Sequence, residues 1–232
     1  MARLLTRLYE LSGTARLSAY LRALRRRDAV FIWVPKTAGT SIADAAGAVK
    51  VKSRHLMKYR FVNRGIVTFG HMDYAALVAA GRVSPAFDAR AFKFAFSRNP
   101  YDRAVSLFAY FRKQGKIAAD TSFGAFWRRI ADKGCDPVGI YNVRGFSQCN
   151  PQVRWLEKVP LDFVGAYENL EADATRLMAH LGLPGTAVPH LNPTRHDDYR
   201  RYYDGRSRTV VREWFAEDFA FFGYPDTLID IV

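Results

Sequence analysis

Apolar positions along this chain fall into two rhythms, one of helical spacing and one of short unbroken runs. Leu4, Leu5, Leu8 and Leu11, then Leu17, Leu21 and Leu24, recur at helical spacing, with Gly13 dividing them into two short helices. Their polar face is basic and ends in Arg25-Arg26-Arg27. Residues 1–28 therefore read as an amphipathic helical segment packed on its own domain, with peripheral contact to an anionic membrane surface as the alternative. Residues 29–34 form a continuous β-branched and aromatic run suited to a central parallel strand. An Ala-rich helix over 41–49 follows, then a short strand over 64–71 ending at Gly70-His71, and a buried strand over 92–97. Pro100 suits the first turn of a helix whose stripe is Tyr101, Ala104, Val105, Phe108 and Phe111. Residues 115–152 are irregular apart from a helix over 123–132. A strand over 161–167 precedes a helix capped by Asn169, with Glu171 and Asp173 in its first turn and a stop at Gly182-Leu183-Pro184. A polar loop over 185–206 leads to a last helix over 207–222 that buries Val210, Val211, Trp214, Phe215 and Phe219. Strands alternating with helices predict an α/β fold, with one domain over 29–232 built on a central parallel sheet flanked by helices.

Composition narrows the class of partner. The 232 residues carry 35 Lys and Arg against 22 Asp and Glu, a net charge of +13, which points to an anionic ligand. No helix-turn-helix, zinc or RNP motif accompanies that charge, so nucleic acid is not the expected partner. Cys135 and Cys149 lack metal-ligand spacing and read as reduced thiols. No run of 18 apolar residues and no signal peptide is evident, so a cytoplasmic location is the expectation.

Two segments carry candidate chemistry. Pro35-Lys36-Thr37-Ala38-Gly39-Thr40-Ser41 follows the first strand, and Ser97-Arg98-Asn99-Pro100-Tyr101-Asp102-Arg103-Ala104-Val105-Ser106 follows the strand over 92–97. Each is a strand, loop and helix start, the geometry that turns backbone N–H groups toward an anion. In the first, Lys36 precedes the glycine, unlike the usual nucleotide-binding P-loop, where lysine follows it. Gly39 is expected to permit a tight turn, with the N–H groups of residues 38–41 facing the anion. In the second, Arg98 offers a fork to phosphate and Ser106 a neutral donor. Arg103 reads as a solvated helix residue, with a phosphate contact like that of Arg98 as the alternative. Ligands of open parallel sheets bind beyond the strand carboxyl ends, where both loops would lie.

This ordered pair strongly resembles the phosphosulfate and 3′-phosphate loops of carbohydrate sulfotransferases that use 3′-phosphoadenosine 5′-phosphosulfate (PAPS). That group includes heparan sulfate 2-O-sulfotransferase and bacterial glycan sulfotransferases. The resemblance continues through residues 163–170, Pro189-His190-Leu191-Asn192, residues 216–219 and Phe222-Gly223-Tyr224. It implies a P-loop-like sulfotransferase fold with PAPS as donor and no metal. Lys36, Thr37, Ala38, Gly39, Thr40 and Ser41 would hold the 5′-phosphosulfate, and Arg98 and Ser106 the 3′-phosphate. The segment from His190 to Tyr203 would close over the nucleotide, with Asn192, Thr194 and Arg195 as its contacts. The acceptor would be a hydroxyl of a carbohydrate or glycolipid; residues 112–160 match nothing that identifies it.

Sulfuryl transfer needs positioning, removal of the acceptor proton and stabilisation of the leaving oxygen. Lys36 is the candidate for the last task. His71, at a strand end on the same edge, is the candidate base, with a structural strand-end histidine as the plain alternative and His55 in reserve. His180, at a helix end, reads as structural. A P-loop kinase would need lysine after glycine and an acidic metal ligand ending a strand, and neither is found. A catalytically silent nucleotide or polyanion binder is the remaining alternative.

Overall fold

The structure, a computed structural model, describes residues 27–51, 64–133, 147–189 and 198–228. The expected helices within 1–26, and His55, Asn192, Thr194 and Arg195, lie outside the described residues.

Five parallel strands form one sheet: β1 (Ala29–Ile32), β2 (Val49–Lys50), β3 (Ile66–Thr68), β4 (Phe92–Ser97) and β5 (Phe163–Ala166), in the order β2-β3-β1-β4-β5. The expected α/β class is thus the observed one. From β1 the chain moves first to one side and then, with β4, to the other. Loops leaving β1 and β4 therefore diverge at a topological switch point, where open parallel sheets leave a crevice. Ala29 pairs with Ile66 on one flank and Phe92 on the other, so the three central strands begin level and β4 extends furthest toward its carboxyl end.

Side-chain alternation divides the core. Val30, Ile32, Val67 and Ala95 face one layer, which includes Tyr74 and Leu77 of α2 (Tyr74–Ala79), Phe87 of α3 (Pro85–Arg90) and Trp155 of the short α6 (Val153–Leu156). Phe31, Ile66, Phe94 and Phe96 face the other, with Ile42 of α1 (Gly39–Ala45) and Leu177 of α7 (Leu170–His180). A third apolar cluster joins α4 (Pro100–Lys113), α5 (Phe123–Lys133), α8 (Gly205–Trp214) and α9 (Ala216–Phe222) around Trp127 and Phe215. Helix α4 is buried on nearly every face, beyond its expected stripe.

Local differences from the expectations have local causes. Helix α1 stops at Ala45, and Val49 pairs with Val67 as strand, because Gly47 takes a left-handed φ of 58° and turns the chain back to the sheet. The run over 64–71 yields only three strand residues, since Gly65 and Gly70 are both left-handed. Helices α2, α3 and α6 are additional to those expected. The last helix breaks at Phe215 into α8 and α9, and α8 begins earlier, on an Asp204–Ser207 capping box. Asn169 occupies the N-cap of α7 but does not cap it: its Nδ2 donates to Asp173 Oδ1 at 3.0 Å, and Asp173 Oδ2 accepts the Ala166 N–H.

Candidate active site

The lysine loop follows β1 and is held by its carbonyls. Four consecutive backbone oxygens each accept a hydrogen bond from a different side chain. The Trp33 carbonyl meets His71 Nδ1 at 2.8 Å, the Val34 carbonyl Thr37 Oγ1 at 3.0 Å, the Pro35 carbonyl Arg103 Nε at 3.0 Å and the Lys36 carbonyl Arg98 Nη1 at 3.2 Å. Engaging the oxygens leaves the N–H side of the loop for an anion, the arrangement of a backbone nest. Among the described residues, Lys36 (φ 71°) and Ala38 (φ 62°) are the non-glycine positions with positive φ. Such residues cost on the order of 1–2 kcal/mol each, and surrounding bonds must hold them there.

Gly39 differs from its expected role. It opens α1 in ordinary helical backbone, and the tight turn is made by Lys36 and Ala38 instead. Glycine is required at 39 by a close approach: a Cβ there would lie 1.8 Å from Trp33 Nε1. Thr37 has no exposed surface, and its hydroxyl is engaged with Val34, so the side chain shapes the loop and its N–H is the group that can face an anion. Ala38 offers α1 no side-chain cap, while Thr40 and Ser41 place hydroxyls in the first turn.

The second loop follows β4. Arg98 is clamped on several sides: Nε donates to Asp102 at 2.8 Å, Nη1 reaches Lys36, and the guanidinium lies 4.0 Å from the Tyr167 ring centroid. Its backbone is gripped by the Gln152 amide, which accepts from the Arg98 N–H at 2.9 Å and donates to the Arg98 carbonyl at 2.8 Å. Asp102 and Ser106 stand one turn apart on the same face of α4, while Arg98 precedes the N-cap residue Asn99 and reaches Asp102 from outside the helix. Ser106 Oγ is fully buried with no hydrogen-bond partner among the described residues. An orphaned hydroxyl in such a place costs about 1–3 kcal/mol, an expense ligand binding would remove.

Arg103 is not solvated. It has no exposed surface, and besides Pro35 it donates to the carbonyls of Gln148 at 2.8 Å and Asn150 at 3.1 Å, 4.0 Å from the Asp218 carboxylate. Burial lowers its pKa to about 10, so it keeps its charge at neutral pH. Asp218 accepts the N–H groups of Gln152 and Val153, both at 2.9 Å. A buried chain of contacts thus runs from Pro35 through Arg103, Asp218 and Gln152 to Arg98. Nothing in the spacing of these residues marked Gln152, and Asp218 entered only as part of a wider resemblance.

His71 lies beyond β3, half-buried. Because a carbonyl oxygen can only accept, the bond to Trp33 places the His71 proton on Nδ1 and its lone pair on Nε2. Its own carbonyl accepts from Trp155 Nε1 at 2.9 Å. Burial first, then the cations Arg103, Lys36 and Lys50, lower its pKa to about 4, against the raising effect of the Trp33 bond. Lys36 is depressed to about 8, by burial first and then by Arg98 and Lys113; its Nζ sits 4.5 Å from the Tyr110 ring centroid. The site therefore offers, at neutral pH, a neutral imidazole beside a charged lysine and two charged arginines. No group of three or more potential metal ligands occurs among the described residues. His180 lies apart from the site, stacked on Phe92 with ring centroids 5.8 Å apart.

The sulfotransferase family model matches residues 24–225. A protein of Archaeoglobus fulgidus is 32% identical over 108 residues, covering 47% of this chain and 82% of that protein. Carbohydrate sulfotransferase 14 of Danio rerio is 28% identical over 173 residues, covering 58% of this chain and 44% of that protein. The chain thus spans less than half the length of the latter relative. The crystal structure of mouse sulfotransferase SULT7A1 complexed with PAP shares the fold, with a TM-score of 0.54 at 15% identity over 93% of this chain and 95% of that one.

Proposed function

Because the chain belongs to the sulfotransferase family, we propose that it moves a sulfuryl group from PAPS to a hydroxyl of a carbohydrate or glycoconjugate. The observation that carries this reading is the joining of the two anion loops: Arg98 of the second loop donates to the Lys36 carbonyl of the first, at the switch point of the sheet. A donor bearing a phosphosulfate at one end and a 3′-phosphate at the other fits that pair. The orphaned Ser106 hydroxyl and the Arg98 fork suit the 3′-phosphate, and the N–H groups of residues 38–41 with Lys36 suit the phosphosulfate. The carbohydrate acceptor is supported by the likeness to carbohydrate sulfotransferase 14.

In this reading the loops fix the donor with its sulfur open to attack. His71 Nε2 accepts the proton of the attacking hydroxyl, while the bond from Nδ1 to Trp33 holds the ring in the needed tautomer. Lys36 stabilises the negative charge that develops on the departing phosphate oxygen. Group transfer from PAPS supplies the sulfuryl unit, so the products are a sulfate ester and PAP.

The test is transfer from radiolabelled PAPS to a panel of acidic and neutral glycans and glycolipids. Labelled product is expected with at least one glycan class, to be lost in Lys36→Ala and His71→Ala, with His71→Ala still binding PAP. Binding of PAP without transfer to any acceptor would favour a silent binder. Phosphate turnover from ATP and Mg²⁺ would replace the reading with a kinase.

A further inference from the structure

We propose that Arg103 is a positioning residue for Lys36, holding the lysine loop in its strained conformation from beneath and linking it to helix α9. This inference rests on the sulfuryl-transfer reading for its kinetic consequence, though not for its geometry. Pro35 immediately precedes Lys36, whose φ of 71° is unfavourable for a side-chain-bearing residue. The carbonyls on either side of the Lys36 Cα are the two that arginines hold: Pro35 by Arg103 and Lys36 by Arg98. Arg98 faces the anion site, so its bond to the loop must coexist with ligand contact. Arg103 is fully buried and spends its donors on carbonyls of Pro35, Gln148 and Asn150.

A guanidinium suits this task better than any other side chain. It is planar, permanently charged and carries five N–H donors in a rigid fork, so one group can fix three carbonyls from two separate segments. A purely structural arginine would need only to neutralise Asp218, yet that carboxylate stands 4.0 Å away while the carbonyls lie at 2.8–3.1 Å. The carboxylate in turn receives Gln152 and Val153 N–H groups, so movement of α9 would reach the lysine loop through the arginine.

The experiment compares wild type with Arg103→Lys and Arg103→Met by two readouts. The first needs neither donor nor acceptor: the pH dependence of Lys36 labelling by an amine-reactive anhydride, followed by mass spectrometry. In wild type the labelling midpoint is expected at about 8, set by burial, Arg98 and Lys113. Once the loop is released and Lys36 gains water, the midpoint should rise toward 10.5, the ordinary lysine value. Arg103→Lys keeps a positive charge opposite Asp218 and so should fold, but one ammonium cannot hold all three carbonyls. It should show an intermediate midpoint and a fall in kcat of about tenfold, with acceptor KM nearly unchanged. Arg103→Met should show the larger shift. An unchanged Lys36 midpoint and unchanged kcat in a folded Arg103→Lys would overturn the proposal. So would failure of both variants to fold, which would assign Arg103 to stability alone. If wild type labels as expected yet transfers no sulfuryl group, the functional reading fails while the positioning inference is still decided by the labelling.

Discussion

At neutral pH Lys36 and His71 differ in charge although both stand among cations. Burial lowers both, Lys36 to about 8 and His71 to about 4, and in each case the neutral form is favoured because it need not be desolvated as an ion. For His71 this means that acid, not neutrality, removes the base: protonation on falling through about pH 4 fills the Nε2 lone pair. For Lys36 it means that alkali removes the stabilising charge on rising through about pH 8. The profile of kcat/KM for transfer should therefore be bell-shaped, with limbs near 4 and 8, and Lys36→Arg should lose the limb near 8 while retaining the other. A profile flat from pH 6 to 10 in wild type would remove Lys36 from its assigned role. Bound donor, being anionic, should raise both values, so the acid limb of kcat should lie above that of kcat/KM. An imidazole with a pKa near 4 is a weak base, and this upward shift is what would bring it toward the working pH.

The lysine loop and the first turn of α1 act as one element, and Trp33 with Gly39 sets their spacing. With an indole 1.8 Å from where a Cβ would sit, Gly39→Ala must displace either the ring or the helix. Overpacking of this kind costs about 1–3 kcal/mol. Urea denaturation should show that loss for Gly39→Ala, and the double variant Gly39→Ala/Trp33→Leu should recover much of it; equal instability of the two would mean that the contact is not what demands glycine. The need for glycine was legible in the sequence, but its reason was not. A glycine between strand and helix suggests a positive φ, whereas here the positive φ values fall on Lys36 and Ala38, residues whose types give no hint of it. Strand-loop-helix order around both anion loops was legible because buried parallel strands are short, continuous and apolar. Strand β2 was not, since two residues cannot show a period.

Across the whole molecule, distant segments converge on one buried polar chain, and this is where the sequence said least. Arg103 and Pro35 lie 68 residues apart and Gln152 and Asp218 66 apart, so no local pattern could pair them. An arginine in a helix reads alike whether it meets water or a ring of carbonyls; only the packing of α4 on all sides decides. Asp218→Ala should destabilise the protein by about 3–5 kcal/mol, because it leaves Arg103 buried without a counter-charge and two N–H groups without acceptors. Thermal unfolding measures this, and a loss under about 1 kcal/mol would show that water reaches the site. The four tethered carbonyls of the lysine loop bear finally on thermodynamics. Peptide units fastened before a ligand arrives have little rotational freedom left to surrender, so PAP association should show a small entropic penalty and fast, single-phase kinetics.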